Sequence, residues 1–180
     1  FTFEQNSKLI ESAARIVAEK GLLILHETHR GKFNFCTTAT VNYLHKYPDL
    51  KLTADFSHWC CVAESYLQDQ QEAVKFAINR TAHFHARVGF PGGPQVNNPG
   101  APEWIEALDF HCQWWDAIVQ RHLALKANTL TITCEFGPYP YMPQLPFSKH
   151  DVSDLWEVNL FMKSFLQKRY ATSAKANSLK

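Results

Sequence analysis

The stretch His83-Phe84-His85-Ala86-Arg87-Val88-Gly89-Phe90-Pro91-Gly92-Gly93-Pro94-Gln95 decides how this chain is read. Residue type alternates over 82–88 and then runs into a Gly/Pro cluster, the mark of a strand that hands its side chains to a loop. Alternation puts His83, His85 and Arg87 on one face and Phe84, Ala86 and Val88 on the other. Two imidazoles and a guanidinium make a poor core but a good start to a site.

Working outward, three more strands share this form. Residues 21–27 are a continuous apolar run after a helix, which suits a strand buried on both faces. It ends in His26-Glu27-Thr28-His29-Arg30-Gly31. Residues 50–55 end in Asp55-Phe56-Ser57-His58-Trp59, and the β-branched run 129–135 ends in Glu135-Phe136-Gly137-Pro138. Helices are expected between them. Residues 1–20 carry Leu9, Ala13, Ile16 and Val17 at helical spacing, with Gly21 as the stop. A short helix over 37–47 turns Val41 and Leu44 inward. Residues 63–80 follow, with Leu67, Val74, Ala77 and Ile78 as the inner stripe. Residues 103–127 put Ile105, Leu108, Cys112, Trp115 and Val119 on one face. A last helix over 151–170 does the same with Leu155, Val158, Met162 and Phe165. Strict alternation of strands and helices implies parallel strands joined by crossover helices, an α/β fold.

Composition narrows the function classes. The 180 residues are enough for one domain; they are 46% hydrophobic and 19% charged. A net charge of +1 gives no field for nucleic acid or an anionic membrane. No apolar run approaches a membrane span. The first residue is Phe1 rather than Met, which suggests a trimmed N-terminus. Five cysteines without a Cys-x-x-Cys point to a reducing compartment, the cytoplasm, rather than a disulfide framework. There is no Gly-x-Gly-x-x-Gly and no Walker-type loop, so nucleotide-binding folds lose weight.

In parallel α/β folds, sites form at the carboxyl ends of strands. Glu27, Asp55 with His58, His85 and Glu135 occupy those ends. Three carboxylates and an imidazole suit a divalent cation such as Mn²⁺, Mg²⁺ or Co²⁺, with Zn²⁺ compatible. Taken singly, a carboxylate at a strand end is more often a helix cap or a surface ion pair. Arg87 could simply pair with Glu64 or Glu72. Trp59, Trp114 and Trp115 read as packing residues, Trp59 being the one to watch beside His58. Lys168 and Arg169 read as a solvated helix end. Recurrence in all four strands is what favours a shared metal.

Leu-His-Glu27-Thr-His-Arg-Gly, Asp55-Phe-Ser-His58, His83-Phe-His85 and Glu135-Phe-Gly-Pro, each behind a strand, together resemble the xylose isomerase-like TIM-barrel superfamily. That group holds sugar phosphate isomerases/epimerases and endonuclease IV-type proteins. The resemblance covers about 21–170. It implies a (β/α)8 TIM-barrel fold of which this chain supplies about four βα units, the carboxyl-terminal half. Residues 1–170 would form the half-barrel domain and 171–180 a flexible tail. It implies metal ligands at Glu27, Asp55, His85 and Glu135. Glu27, Glu135 and His58 would be catalytic, with Arg87, His58, His29 and Arg30 at the substrate; His83 would sit deeper in a supporting place. The activity implied is a metal-dependent sugar isomerase or epimerase working by proton transfer through an enediolate. The alternatives are an endonuclease IV-like phosphodiesterase and a non-catalytic metal- or sugar-binding half-barrel. Four strands alone would expose a sheet edge, so the missing barrel half or a second copy is the expected partner.

Overall fold

The computed structural model describes residues 1–127 and 129–177, with side chains up to residue 171. Four parallel strands, β1 (His26–Glu27), β2 (Leu52–Ala54), β3 (Thr81–His85) and β4 (Thr131–Thr133), form one sheet in chain order. Helix α1 (Phe3–Lys20) precedes the sheet. Between strands lie α2 (Thr37–Lys46), α3 (Ser57–Ala63) with α4 (Gln71–Ile78), and α5 (Ile105–Ala124) behind a 3-10 turn at Pro102–Trp104; α6 (Leu155–Asn177) closes the chain. The α/β class and the parallel sheet are as the alternation predicts.

Period-two patterning explains the layering. Leu52 and Ala54 on β2, and Phe84, Ala86 and Val88 on and after β3, are buried. They face a helical layer in which α2 packs on α4 and α4 on α5. Phe84 stacks on Trp115 of α5 with ring centroids 6.0 Å apart. Burying such a ring contributes roughly 1.5–3 kcal/mol. The opposite face carries His83, His85, Thr131 and Thr133, too polar to pack against helices.

Helix starts and stops follow local chemistry. Thr2 and Gln5 form a reciprocal capping box on α1, and Gly21 ends it in the left-handed region at φ +64°. Asp154 caps α6 by accepting from the Glu157 amide at 2.9 Å.

Several expectations change. The run 21–27 is not buried on both faces: Leu22 is 58% exposed and Leu23 69%. β1 is an edge strand, and its ladder with β2 begins only at the His26–Leu52 pair. On α1 the buried residues are Ser7 and Ile10, while Leu9 and Ile16 face out. The helix expected over 63–80 is two helices. Glu64 and Leu67 take positive φ of 48° and 59°, and the chain turns there while burying Leu67. Ile105 is exposed; Ala107, His111 and Ile118 join Cys112, Trp115 and Val119 inside. The last helix runs past Tyr170 to Asn177; the final part of the expected tail, 178–180, lies outside the described residues. Arg169 is not simply solvated but holds Asp116 at 2.6 and 2.8 Å. All five cysteines are free thiols. No helix among the described residues is long and apolar enough to cross a membrane.

One glycine is demanded by close approach. A Cβ at Gly89 would lie 2.7 Å from Ser57 Cβ and 2.8 Å from Ser57 backbone atoms, at the start of α3. Gly89→Ala must push the β3 loop and α3 apart. It is expected to cost about 1–3 kcal/mol of unfolding free energy in urea denaturation.

Candidate metal centre

The strand ends do converge. One ligand-type atom from each of Glu27, Asp55, His85 and Glu135 lies within 4.8 Å of the others. His85 Nδ1 is 3.4 Å from Glu27 Oε1, 3.6 Å from Asp55 Oδ2, and in close contact with Glu135 Oε2.

Each member is positioned by local chemistry. Asp55 follows β2 and is fully buried. Its amide donates to Thr28 Oγ1 at 2.7 Å, and that hydroxyl donates back to the Asp55 carbonyl at 2.9 Å, which pins the end of β1 to the end of β2. Its carboxylate accepts from the Ser57 amide at 3.2 Å and from the Ser57 hydroxyl, and is ion-paired with Arg87. His85 ends β3. Glu135 sits just beyond β4 in the left-handed region, at φ +58°. A non-glycine residue held there is strained, and such strain gathers at functional sites. The turn is clamped on its far side. Asn159 of α6 accepts from the Phe136 amide and donates to its carbonyl, both at 3.1 Å. Gln95, the last residue of the opening stretch, bridges Gly137 in the same two-handed way, at 2.8 and 3.0 Å.

Electrostatics sharpen the centre. Burial works against the His85 imidazolium, but Asp55, Glu135 and Glu27 overcome it and push its pKa up to about 11. Burial would raise Glu27; contacts with His85 and Lys32 instead bring it down to about 2. Asp55 is likewise held far below the usual carboxylate range against its burial, by His85, Arg87, His58 and Ser57. His58 is driven down to about 4, chiefly by burial.

The donor set could hold a divalent cation. His85 Nδ1 and Glu135 Oε2 are buried atoms in close contact, yet neither makes a hydrogen bond. Buried polar atoms normally find partners. Donor atoms that meet without hydrogen-bond alignment are what a set aimed at a common centre presents. Three carboxylates with one imidazole suit an oxygen-preferring ion that tolerates nitrogen.

The remaining sequence candidates fall into place around this set. Arg87 pairs with Asp55, not with Glu64 or Glu72; its Nη2 is 2.7 Å from His58 Nε2 and 3.6 Å from Glu135 Oε2. It is buried, so its first contacts are protein groups rather than solvent. His58 is buried under His29, with ring centroids 3.9 Å apart. His83 bonds Thr131 Oγ1 at 2.7 Å and Thr133 Oγ1 at 3.2 Å, tying β3 to β4 in a supporting place. Trp59 is a packing residue whose indole donates to the Asn34 carbonyl at 3.0 Å. Sequence reasoning missed Lys32, which contacts Glu27, and Tyr141, whose ring lies under Arg87 at 4.7 Å and Arg30 at 5.5 Å. It also missed Ser57, Thr28, Gln95 and Asn159. Only Ser57, two residues after an Asp, carries a local signal, the Asx-turn spacing.

A scan against protein-family models found no match, and searches of curated proteins and of solved structures found none either.

The support beneath the site has a pH signature. His111 of α5 is buried; its Nε2 accepts from the Gly89 amide at 3.1 Å and its Nδ1 bonds the Ala107 carbonyl at 2.9 Å. Burial, outweighing the Ala107 bond, lowers its pKa from 6.5 to about 4. Between those values the unfolded chain binds the extra proton, so stability falls as pH drops from 6.5 to about 4 and levels below it. The full effect is about 3 kcal/mol. His58 adds in the same direction. The Glu27 contribution is lost at lower pH, from 4.5 down through about 2. That of His85, complete below 6.5, fades as pH rises toward about 11. Urea midpoints measured across pH 4 to 6.5 should show the decline, and His111→Gln should make it shallower, leaving the part that His58 contributes.

Proposed function

We propose that this chain belongs to a metal-dependent isomerase or epimerase of a sugar or related hydroxy-carbonyl compound, on a (β/α)8 barrel of which these are four βα units. The observation that carries the reading is the convergence of Glu27, Asp55, His85 and Glu135, one from each successive strand end, within 4.8 Å. The open polar sheet face and the exposed Leu22 and Leu23 beside the β1 edge fit a sheet that continues in a further half.

Glu27, Asp55, His85 and Glu135 would hold the ion. When bound, it would polarise the substrate carbonyl and offset the negative charge that develops on its oxygen. Asp55 is committed to Arg87 and Ser57, which leaves it a fixed ligand rather than a proton carrier. Glu27 and Glu135 are the two partly accessible carboxylates. One removes the proton next to the carbonyl and the other returns it, the two-base logic of epimerisation. His29 is partly exposed and Tyr141 presents its hydroxyl to His29 Nε2 at 3.4 Å, so these two groups orient substrate hydroxyls, with the buried His58 ring packed beneath His29. Arg87 is buried between Asp55 and Glu135, and acts mainly by holding Asp55.

Glu135→Gln in the intact protein tests this. Mn²⁺ affinity measured by calorimetry is expected to fall at least about tenfold, and sugar isomerisation with solvent deuterium exchange to fall about 10²–10⁴-fold. Unchanged Mn²⁺ affinity together with unchanged turnover overturns the reading.

A further inference from the structure

Lys32 occupies an oxygen of one of the four ligand residues. Its ammonium contacts Glu27 Oε2, while Glu27 Oε1 faces His85 Nδ1 at 3.4 Å. The contact is built by a tight turn. The Lys32 amide donates to the His29 carbonyl at 2.9 Å, and the Gly31 amide donates to His29 Nδ1 at 2.9 Å, which brings Lys32 back to the end of β1. These bonds hold the turn wherever the ammonium points. The ammonium itself is held loosely, because the Lys32 side chain is 49% exposed. So exposed a pair contributes little to stability and exchanges readily. Lys32 also lines a concavity of about 610 Å³ beside Phe33 and Asn42, which gives a released side chain room to turn. The charge balance gives the contact a purpose. Glu27, Asp55 and Glu135 bring three like charges together, and without an ion Lys32 helps offset their repulsion. An imidazole that ligates an ion is neutral. A divalent ion and the Arg87 guanidinium then balance the three carboxylates by themselves. The Lys32 ammonium becomes a surplus positive charge beside a cation, and the two repel.

We propose that Lys32 is a tethered counter-ion of the centre, holding Glu27 Oε2 while the ion is absent and giving it up when a divalent cation binds. Loading is then an exchange of one cation for another. The proposal rests on the metal-dependent reading above, and adds that the chain sets its own ion affinity below what the four ligands alone would give. Release also bares Glu27 Oε2, a poor base while an ammonium sits on it.

Calorimetry with Mn²⁺ on the unaltered protein and on Lys32→Met, Lys32→Gln and Lys32→Arg tests the exchange. Both neutral variants are expected to bind Mn²⁺ about three- to tenfold more tightly, and Lys32→Arg to stay within about twofold of the unaltered protein. The gain should shrink between about 50 and 500 mM salt. Urea midpoints give a second readout. Without Mn²⁺ the neutral variants should unfold at lower urea than the unaltered protein, and in excess Mn²⁺ that deficit should vanish. Unchanged or weaker Mn²⁺ binding in the neutral variants makes Lys32 a holder of Glu27 rather than a rival of the ion, and overturns the proposal. A gain of equal size in Lys32→Arg overturns it too, because the charge is then not the cause. In both cases the unaltered protein still binds Mn²⁺. Failure of the metal-dependent reading looks different: the unaltered protein binds no Mn²⁺, and the exchange falls with it.

Discussion

The ion pair between Asp55 and Arg87 is the constraint on which the rest of the structure turns. Both side chains are buried, one at the end of β2 and one just beyond β3. A carboxylate left alone there would cost several kcal/mol, and the charge pair offsets this only with good geometry and further hydrogen bonds. The surroundings supply them. Ser57 serves both partners, its hydroxyl bonding Asp55 and accepting from Arg87 Nε at 3.3 Å. Thr28 locks the Asp55 backbone to the neighbouring strand. Gly89 lets the chain after Arg87 close onto Ser57, and His111 holds the Gly89 amide from behind. A chain of contacts thus runs from α5 through two loops to the base of the site.

That rigid base makes the carboxylates above it unequal. Asp55 has its oxygens committed and is a fixed point. Glu27 divides its oxygens, one toward His85 and one toward Lys32. Glu135 is the most exposed of the three and sits on a strained residue, braced from outside by Asn159 and Gln95. The buried, hydrogen-bonded Asp55 lies beneath the centre, and the partly accessible Glu27 and Glu135 border it. Such division is what a site built on strand ends permits, because the strands fix the roots of the side chains while the loops remain free to specialise.

Much of the site was legible in the primary structure because its signals are local. Alternation assigned the faces of β3: Phe84, Ala86 and Val88 are buried, and His83, His85 and Arg87 share the other side. Polar residues behind four successive apolar runs named Glu27, Asp55, His85 and Glu135, and these are the four that meet. Errors arose where local pattern and tertiary packing disagree. Residues 21–25 read as a buried strand because apolarity does not reveal an edge. Residues 63–80 read as one helix because no Gly or Pro marks the break at Glu64 and Leu67, where burying Leu67 overrides helix propensity.

The sequence by itself determined the alternation of strands and helices, the capped ends of α1, and the four residues placed to meet at the strand ends. These depend on periodicities and neighbours a few residues apart, which any chain displays before it folds. Only the tertiary structure decided how those residues divide their work. The partners of Arg87 lie about thirty residues back in the chain, at Asp55, Ser57 and His58; Tyr141 reaches His29 across the whole sheet; and Lys32 reaches Glu27 through a turn. No spacing rule encodes such pairs. They follow from which loops the parallel sheet gathers at one end, and from the requirement that a buried charge find its counterpart there.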